Sequence, residues 1–266
     1  MNQTMFIVLM TVVCLPVSFA RRRQNPLRVV YGVTDTEEKY PYVVTLAHGH
    51  TRMCSGSLIA PDWVISAAHC VVTMCTHIQF NFRHTKTNIT WKTSPVVRRI
   101  PHPHFNFVSL ANDIGLLRVL PVTMRAFAKI SAVDYSSLIG HAVEYAGYGL
   151  TQRTGQGIEI NKQISQDDLF RELQLGEGVL TSCKSLIDDV NSVLPETTSN
   201  SGFVCVTPKC SNHLQQIQQG DSGGPLFCDS KLIGISCWNV PAILIPVSGF
   251  TPVSPYLAWI YMIMNT

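Results

Sequence analysis

Gly220-Asp221-Ser222-Gly223-Gly224-Pro225, running on into Leu226-Phe227-Cys228, is the stretch on which the reading of this chain turns. At average residue usage the six-residue string would arise by chance in a chain this long on the order of once in a hundred thousand. A turn explains the glycines but not the whole string. Chemically, Gly220 lets the backbone approach a carbonyl, Ser222 presents a hydroxyl, and two amides pointing the same way can hold an oxyanion.

A serine hydroxyl is a poor nucleophile until a base takes its proton, and the base in turn needs a group that orients it. Ser66-Ala67-Ala68-His69-Cys70 offers an imidazole, and Asn112-Asp113-Ile114-Gly115-Leu116-Leu117 offers one carboxylate ahead of an apolar strand. Taken singly, His69 reads as a hydrogen-bonded core histidine and Asp113 as a strand-end turn residue. Their occurrence together with Ser222, in the order His69, Asp113, Ser222, overturns those readings and points to nucleophilic catalysis.

The chain around these segments is 266 residues long, 46% hydrophobic and 14% charged, too apolar for disorder and long enough for one large or two modest domains. Short apolar runs separated by turn residues predict strands at Tyr42–Ala47, Gly56–Ile59, Trp63–Ser66, Ile114–Val119, Ala142–Ala146, Phe203–Val206, Pro225–Phe227 and Leu232–Trp238. That spacing implies an all-β protein of closed antiparallel barrels or a sandwich. Asp167-Asp168, Asp188-Asp189 and Pro195–Asn200 read as long surface loops. Ser254 and Pro255 read as the N-cap and first residue of a C-terminal helix, about 254–264, with Leu257, Ile260, Tyr261 and Met264 on one face.

Phe6 to Phe19 is an apolar run of leader length, ending in Ser18-Phe19-Ala20, so residues 1–20 read as a signal peptide and the protein as secreted and extracellular. The run is short for a bilayer span, and no later stretch is long enough. Export makes disulfides the default fate of the cysteines. Of the nine, Cys14 leaves with the leader, and the eight that remain allow 105 pairings. Asn88-Ile89-Thr90 is a glycosylation sequon. The net charge of +3 rests on Arg21, Arg22, Arg23 and Arg28. Without those four, 16 of the 20 basic residues face 17 acidic ones, so charge gives no support to a nucleic-acid partner.

From about Val29 to Ile260 the sequence resembles the trypsin/chymotrypsin family of serine endopeptidases. The likeness rests on Val29-Val30-Tyr31-Gly32 after Arg28, Cys54-Ser55-Gly56-Ser57-Leu58-Ile59, the segments around His69, Asp113 and Ser222, and Trp238. It implies two packed six-stranded β-barrels, about 29–135 and 136–252, with a cleft between them and a C-terminal helix. By position His69 resembles the general base, Asp113 its orienter and Ser222 the nucleophile, with the Gly220 and Ser222 amides as oxyanion hole. Arg28 and Val29 resemble an activation site, residues 21–28 a propeptide, and Asp221 the carboxylate that would receive the freed Val29 amine. Cys54–Cys70 and Cys183–Cys205 resemble two family disulfides. No metal or organic cofactor is implied.

The departures lie in the substrate pocket. Trypsins carry an aspartate six residues before the nucleophile; here that residue is Gln216, which predicts poor cleavage after Lys or Arg. Trp238 and Asn239 stand at the pocket wall, with Ser248 or Gly249 opposite, and their side chains would narrow it toward small or medium uncharged residues. Cys75, Cys210, Cys228 and Cys237 are unassigned, leaving a Cys210–Cys237 bridge open. Cys237 replaces a serine that in relatives bonds the catalytic aspartate. The paired histidines His48/His50 and His102/His104 lack a complete metal-ligand set and read as structural, and Arg98-Arg99 reads as a solvated pair. The expected partners are a protein or peptide substrate, an activating protease and a protein inhibitor, with no membrane contact and a monomeric state. A second reading, a non-catalytic homologue that binds through the same cleft, stays open because of Gln216 and Cys237.

Overall fold

The computed structural model describes residues 29, 32–83, 89–149, 172–184, 202–209, 215–240 and 247–266. The apolar runs pair as antiparallel strands. In the N-terminal half these are β2 (Val43–His48), β3 (Thr51–Ala60), β4 (Trp63–Ser66), β5 (His77–Arg83), β6 (Ile89–Pro101) and β7 (Gly115–Val119). They close in the order β2-β3-β4-β7-β6-β5, with Leu46 opposite Ile78 at the closure. The C-terminal half holds β8 (Ala142–Gly147), β9 (Gln174–Ser182), β10 (Val204–Thr207), β11 (Pro225–Cys228), β12 (Lys231–Val240) and β13 (Val247–Pro252). These close as β8-β9-β10-β13-β12-β11, Leu226 pairing with Tyr145, while β1 (Val33–Thr34) adds to the outside of β9. The fold is therefore the expected pair of six-stranded barrels, a closure that leaves no long strand edge exposed.

β4 matches its expected span, and all four of its residues are buried. Four long strands, β5, β6, β9 and β13, were not among the expected segments. The three polar stretches expected as loops lie outside the described residues.

The barrels meet through a core-like interface. Tyr40 and Phe227 stack with ring centroids 4.1 Å apart and 14° between planes, both almost fully buried. Burying a ring of this size contributes roughly 2–3 kcal/mol. Behind the interface runs helix α2 (Leu257–Met264), preceded by a 3-10 turn at Ser254–Tyr256. Two details of the helix reading need correction. Val253, not Ser254, precedes the turn, and Tyr261 is 73% exposed, so the packed stripe is Leu257, Ile260 and Met264 with Ile263 beside it. His102 sits edge-on to Tyr256 and Trp259, at 5.1 and 5.0 Å, and fastens α2 to the loop ahead of Asp113. Among the described residues no helix is long and apolar enough to cross a membrane.

Candidate active site

Pairing of β4 with β7 sets Ser66 opposite Gly115, which brings the chain leaving β4 beside the chain entering β7. His69 lies on the five-residue helix α1 (Ala68–Val72) and Asp113 two residues before β7. The Asp113 carboxylate is fully buried. Its Oδ1 accepts from the His69 backbone amide at 2.8 Å, and its Oδ2 lies 2.7 Å from His69 Nδ1. With Nδ1 donating to the carboxylate, a neutral ring keeps its lone pair on Nε2. The His69 side chain retains 21% exposure, whereas Asp113 has none. Cys54 and Cys70 form a disulfide that ties β3 to α1.

Asp113 has a third partner. The Cys237 thiol on β12 donates to Oδ2 at 2.8 Å. Burial, and then the Asp113 charge, push this thiol well above the ordinary cysteine range, so it keeps its proton and acts as a donor. Beside it, the Tyr256 hydroxyl donates to Asn112 Oδ1 at 3.0 Å, and burial followed by the Asp113 charge pushes its pKa up to about 12.

The turn carrying Ser222 is held against this assembly. Gly223 has φ +79°, and a Cβ there would lie 2.0 Å from Ser66 Oγ and 2.4 Å from the Ser55 carbonyl, so only glycine fits. Gly220, at φ +94°, turns the chain one step earlier. The Ser222 carbonyl accepts from Ser55 N at 2.8 Å, and Gly223 N donates to the Ser236 carbonyl at 2.7 Å. Among the described residues neither the Gly220 nor the Ser222 amide has an acceptor. His69 is thus joined directly to Asp113, and the turn of Gly220 and Ser222 is tied through Ser55 to β3, which the Cys54–Cys70 bridge links to the helix of His69.

Asp221 points the other way. It is 1% exposed, its Oδ1 accepting from Gly149 N and its Oδ2 from Gln218 N, each at 2.8 Å. Val29 is fully buried in the second barrel with Val143, Tyr145, Leu180 and Ile217. Tyr145 links the two, since burial and the Asp221 charge both raise its phenol. Arg28 and Asn88 lie outside the described residues.

The residues expected to line the pocket bond the main chain of neighbouring segments. Gln216 is buried and donates from Nε2 to the Val247 carbonyl at 3.1 Å. Asn239 Nδ2 donates to the Ile217 carbonyl at 2.9 Å, and Ile217 N donates to Ser248 Oγ at 3.3 Å. Side chains from β12 and β13 are therefore joined across the segment that leads to the nucleophile turn. Trp238 lies over Gly249, where a Cβ would meet the indole at 2.1 Å.

The remaining cysteines depart from one expectation. Cys183 and Cys205 are bridged as expected, whereas Cys75, Cys228 and Cys237 are free and buried. A Cys210–Cys237 bridge is not formed, because Cys237 is engaged with Asp113; Cys210 lies outside the described residues. Arg99 is not simply solvated, since Nε and a terminal nitrogen both donate to the Cys75 carbonyl, at 3.1 and 2.6 Å. Among the described residues neither histidine pair belongs to a cluster able to hold a metal.

Sequence reasoning gave Ser55 no role. Its hydroxyl donates to the Gly220 carbonyl at 2.9 Å and its amide to that of Ser222, strapping both ends of the turn. A buried serine inside an apolar strand was the available signal. Also unforeseen is a cavity of about 340 Å³ beside Gly220, lined by Thr45, Arg52, Met53, Tyr148 and Gln219. The Arg52 guanidinium lies 4.4 Å from the Trp91 ring centre and its Nε donates to Gln79 Oε1 at 3.1 Å.

Two closed barrels carrying a buried aspartate–histidine pair and a glycine-framed serine are those of a serine endopeptidase. The chain belongs to the trypsin family, whose model matches residues 29–260. It is 33% identical over 229 residues to a Suppressor of tumorigenicity 14 protein homolog of Bos taurus, covering 75% of this chain but only 23% of that protein. Trypsin of Sus scrofa is 29% identical over 88% of this chain and 94% of its own length. Kallikrein-14 of Homo sapiens is 25% identical over 96% and 91%. The fold is similar to that of neuropsin, a serine protease expressed in the limbic system of mouse brain, with a TM-score of 0.64 at 22% identity, over 85% of this chain and 95% of that one.

Proposed function

We propose that the protein is a secreted serine endopeptidase, made as a zymogen, that cleaves peptide bonds through an acyl-enzyme and disfavours basic residues at the cleaved bond. The observation that carries this reading is the Asp113 carboxylate, which accepts from both the amide and Nδ1 of His69 while fully buried. Held in that way, the imidazole presents Nε2 to Ser222. Nε2 takes the hydroxyl proton as Oγ attacks the substrate carbonyl, and Asp113 stabilises the imidazolium without itself becoming protonated. The Gly220 and Ser222 amides receive the oxyanion. Nε2–H then protonates the leaving amine, and water, deprotonated by the same nitrogen, releases the acyl group.

Residues 1–20 act as the leader and 21–28 as the propeptide. Cleavage after Arg28 frees the Val29 amine to pair with Asp221, which fixes the turn that carries Gly220 and Ser222. Because Gln216 offers no charge to offset a buried guanidinium, the cut at Arg28 falls to a different protease. The side chains of Asn239 and Ser248 restrict the pocket to small or medium uncharged residues, and the cavity beside Gly220 receives the leaving half of the substrate.

The test is to cut the secreted protein after Arg28 and weigh it with and without a fluorophosphonate. One adduct on Ser222, absent from uncut protein and from His69→Ala, is the expected result. No adduct on folded, correctly cut protein overturns the catalytic reading in favour of a binding homologue. A cleavage profile dominated by Arg or Lys overturns the pocket reading alone.

A further inference from the structure

The hydrogen-bonded group His69–Asp113–Cys237 contains an imidazole nitrogen, a carboxylate oxygen and a thiol sulfur, all within 4.8 Å of one another. We propose that it is a capture site for a thiophilic divalent cation of the zinc class, and that filling it switches the enzyme off reversibly. The switch rests on the catalytic reading above; the site does not.

Three observations carry it. First, the ligand atoms already surround one point: Nδ1 and Sγ lie 2.7 and 2.8 Å from the same Asp113 Oδ2. Zinc bonds of about 2.0–2.3 Å in a tetrahedral arrangement need ligand atoms somewhat further apart, so each pair must open by less than about 1 Å. Second, the atoms come from three separate segments, α1, the loop before β7, and β12, and of the three residues only His69 is partly exposed, its side chain at 21%, so an ion enters from its side. Third, the charges balance. Thiolate and carboxylate, with a neutral imidazole, match the two charges of a dication by deprotonation of the thiol alone, removing the main cost of burying an ion. A serine at 237 would supply no thiolate and leave a net positive charge in a closed site. The neighbouring sulfurs of Cys54 and Cys70 also lie near His69 but are joined as a disulfide and offer no thiolate.

The consequence for the reaction is a tautomer change. On metal binding the Cys237 proton leaves to solvent and the Nδ1 proton moves to Nε2. A ring with Nδ1 on the metal and a proton on Nε2 has no lone pair for the Ser222 hydroxyl. One proton is released per metal bound, and no bond other than these changes.

The test uses the secreted protein cut after Arg28, stripped with a chelator and titrated with cobalt(II) as a spectroscopic probe and then with zinc chloride. Expected are a thiolate-to-cobalt charge-transfer band at one equivalent that persists in Cys75→Ser and Cys228→Ser but is lost in Cys237→Ser and Cys237→Ala. Zinc should abolish fluorophosphonate labelling reversibly, and Cys237→Ser should need about 100-fold more zinc for the same effect. A band that survives both Cys237 substitutions, or no band, overturns the site. If neither variant folds, a zinc-soaked crystal of the unsubstituted protein decides: an anomalous peak among Nδ1, Oδ2 and Sγ upholds the site, and a peak elsewhere or none removes it. A Cys237-dependent band in protein that never labels with fluorophosphonate keeps the metal site and discards the catalytic reading.

Discussion

The two halves of the cleft treat their polar side chains in opposite ways. Around Asp113, side chains from separate segments meet one another: His69 from α1 and Cys237 from β12 converge on its carboxylate, while the Ser55 strap from β3 holds the nucleophile turn. Around Gln216, side chains bond main-chain groups of separate segments: Gln216 donates to the Val247 carbonyl, Asn239 to the Ile217 carbonyl, and Ser248 accepts from the Ile217 amide. The first arrangement holds atoms in place for a proton transfer. The second, in the proposed reading, narrows the substrate pocket. The proposed chemistry and the proposed selection rest on separate sets of hydrogen bonds, so each is open to perturbation without the other.

The largest break is expected on the chemical side. His69→Ala or Ser222→Ala should lower kcat by about a million-fold, since members of such a unit act together. Asp113→Asn should lower it by about ten-thousand-fold, because an amide nitrogen facing Nδ1 favours the wrong tautomer. In each case the circular dichroism spectrum should be unchanged. A loss of only tenfold in any of the three would show that the buried pair is structural.

How much of this was legible in the sequence differs between the same two regions. His69, Asp113 and Ser222 each sit in a short, unusual local string, and β4 and β7 are apolar runs whose pairing brings the first two together. The four strands that escaped the reading of apolar runs lie two in each barrel. β9 contains Gly176 and Gly178, and β13 contains Gly249, all of which read as breakers. In the fold they are close-packed seats: a Cβ at 176 would strike the Tyr145 ring at 2.4 Å, one at 178 the Val206 side chain at 2.3 Å, and one at 249 the Trp238 ring at 2.1 Å. β6 carries Pro95 and Pro101, and β5 alternates polar and apolar residues too evenly for an apolar-run search to find. Cross-strand packing decides these elements, and it is not written in any one local window. The Cys237–Asp113 bond joins residues 124 positions apart, and only the family resemblance, not any local string, pointed to it.

A second prediction tests how firmly the chemical side is braced. Removing the Cys54–Cys70 bridge with Cys54→Ala/Cys70→Ala should cost about 3 kcal/mol, given its separation of 16 residues. For a domain of this size that lowers Tm by roughly 6–12 °C. Calorimetry reads the shift, and an unchanged Tm would mean that the strands alone hold α1. On the selective side, Asn239→Gly/Ser248→Gly removes both side chains that close on Ile217. It should raise kcat/KM for peptides with Phe or Leu at the cleaved bond by about 10–100-fold relative to Ala, the usual worth of opening an apolar pocket. An unaltered ratio would place the closure elsewhere.

The smallest effect lies where the two regions touch. Cys237 precedes Trp238 and Asn239 on β12, yet its thiol serves Asp113, so it belongs to the chemical side by contact and to the selective side by sequence. A thiol is the weaker donor, and a hydrogen bond to an ionised partner is worth about 1.5–3 kcal/mol when fully made. Cys237→Ser should therefore strengthen the hold on the carboxylate and raise kcat about fivefold, corresponding to about 1 kcal/mol in the barrier. The hydroxyl oxygen sits a few tenths of an ångström nearer its own Cβ, which limits the gain. Cys237→Ala removes the donor and should lower kcat about tenfold. Both should leave the ratio between Ala and Leu peptides where it was, because neither touches Asn239 or Ser248. If the ratio moves with kcat, β12 transmits strain from one side of the cleft to the other, and the separation of chemistry from selection fails at this strand.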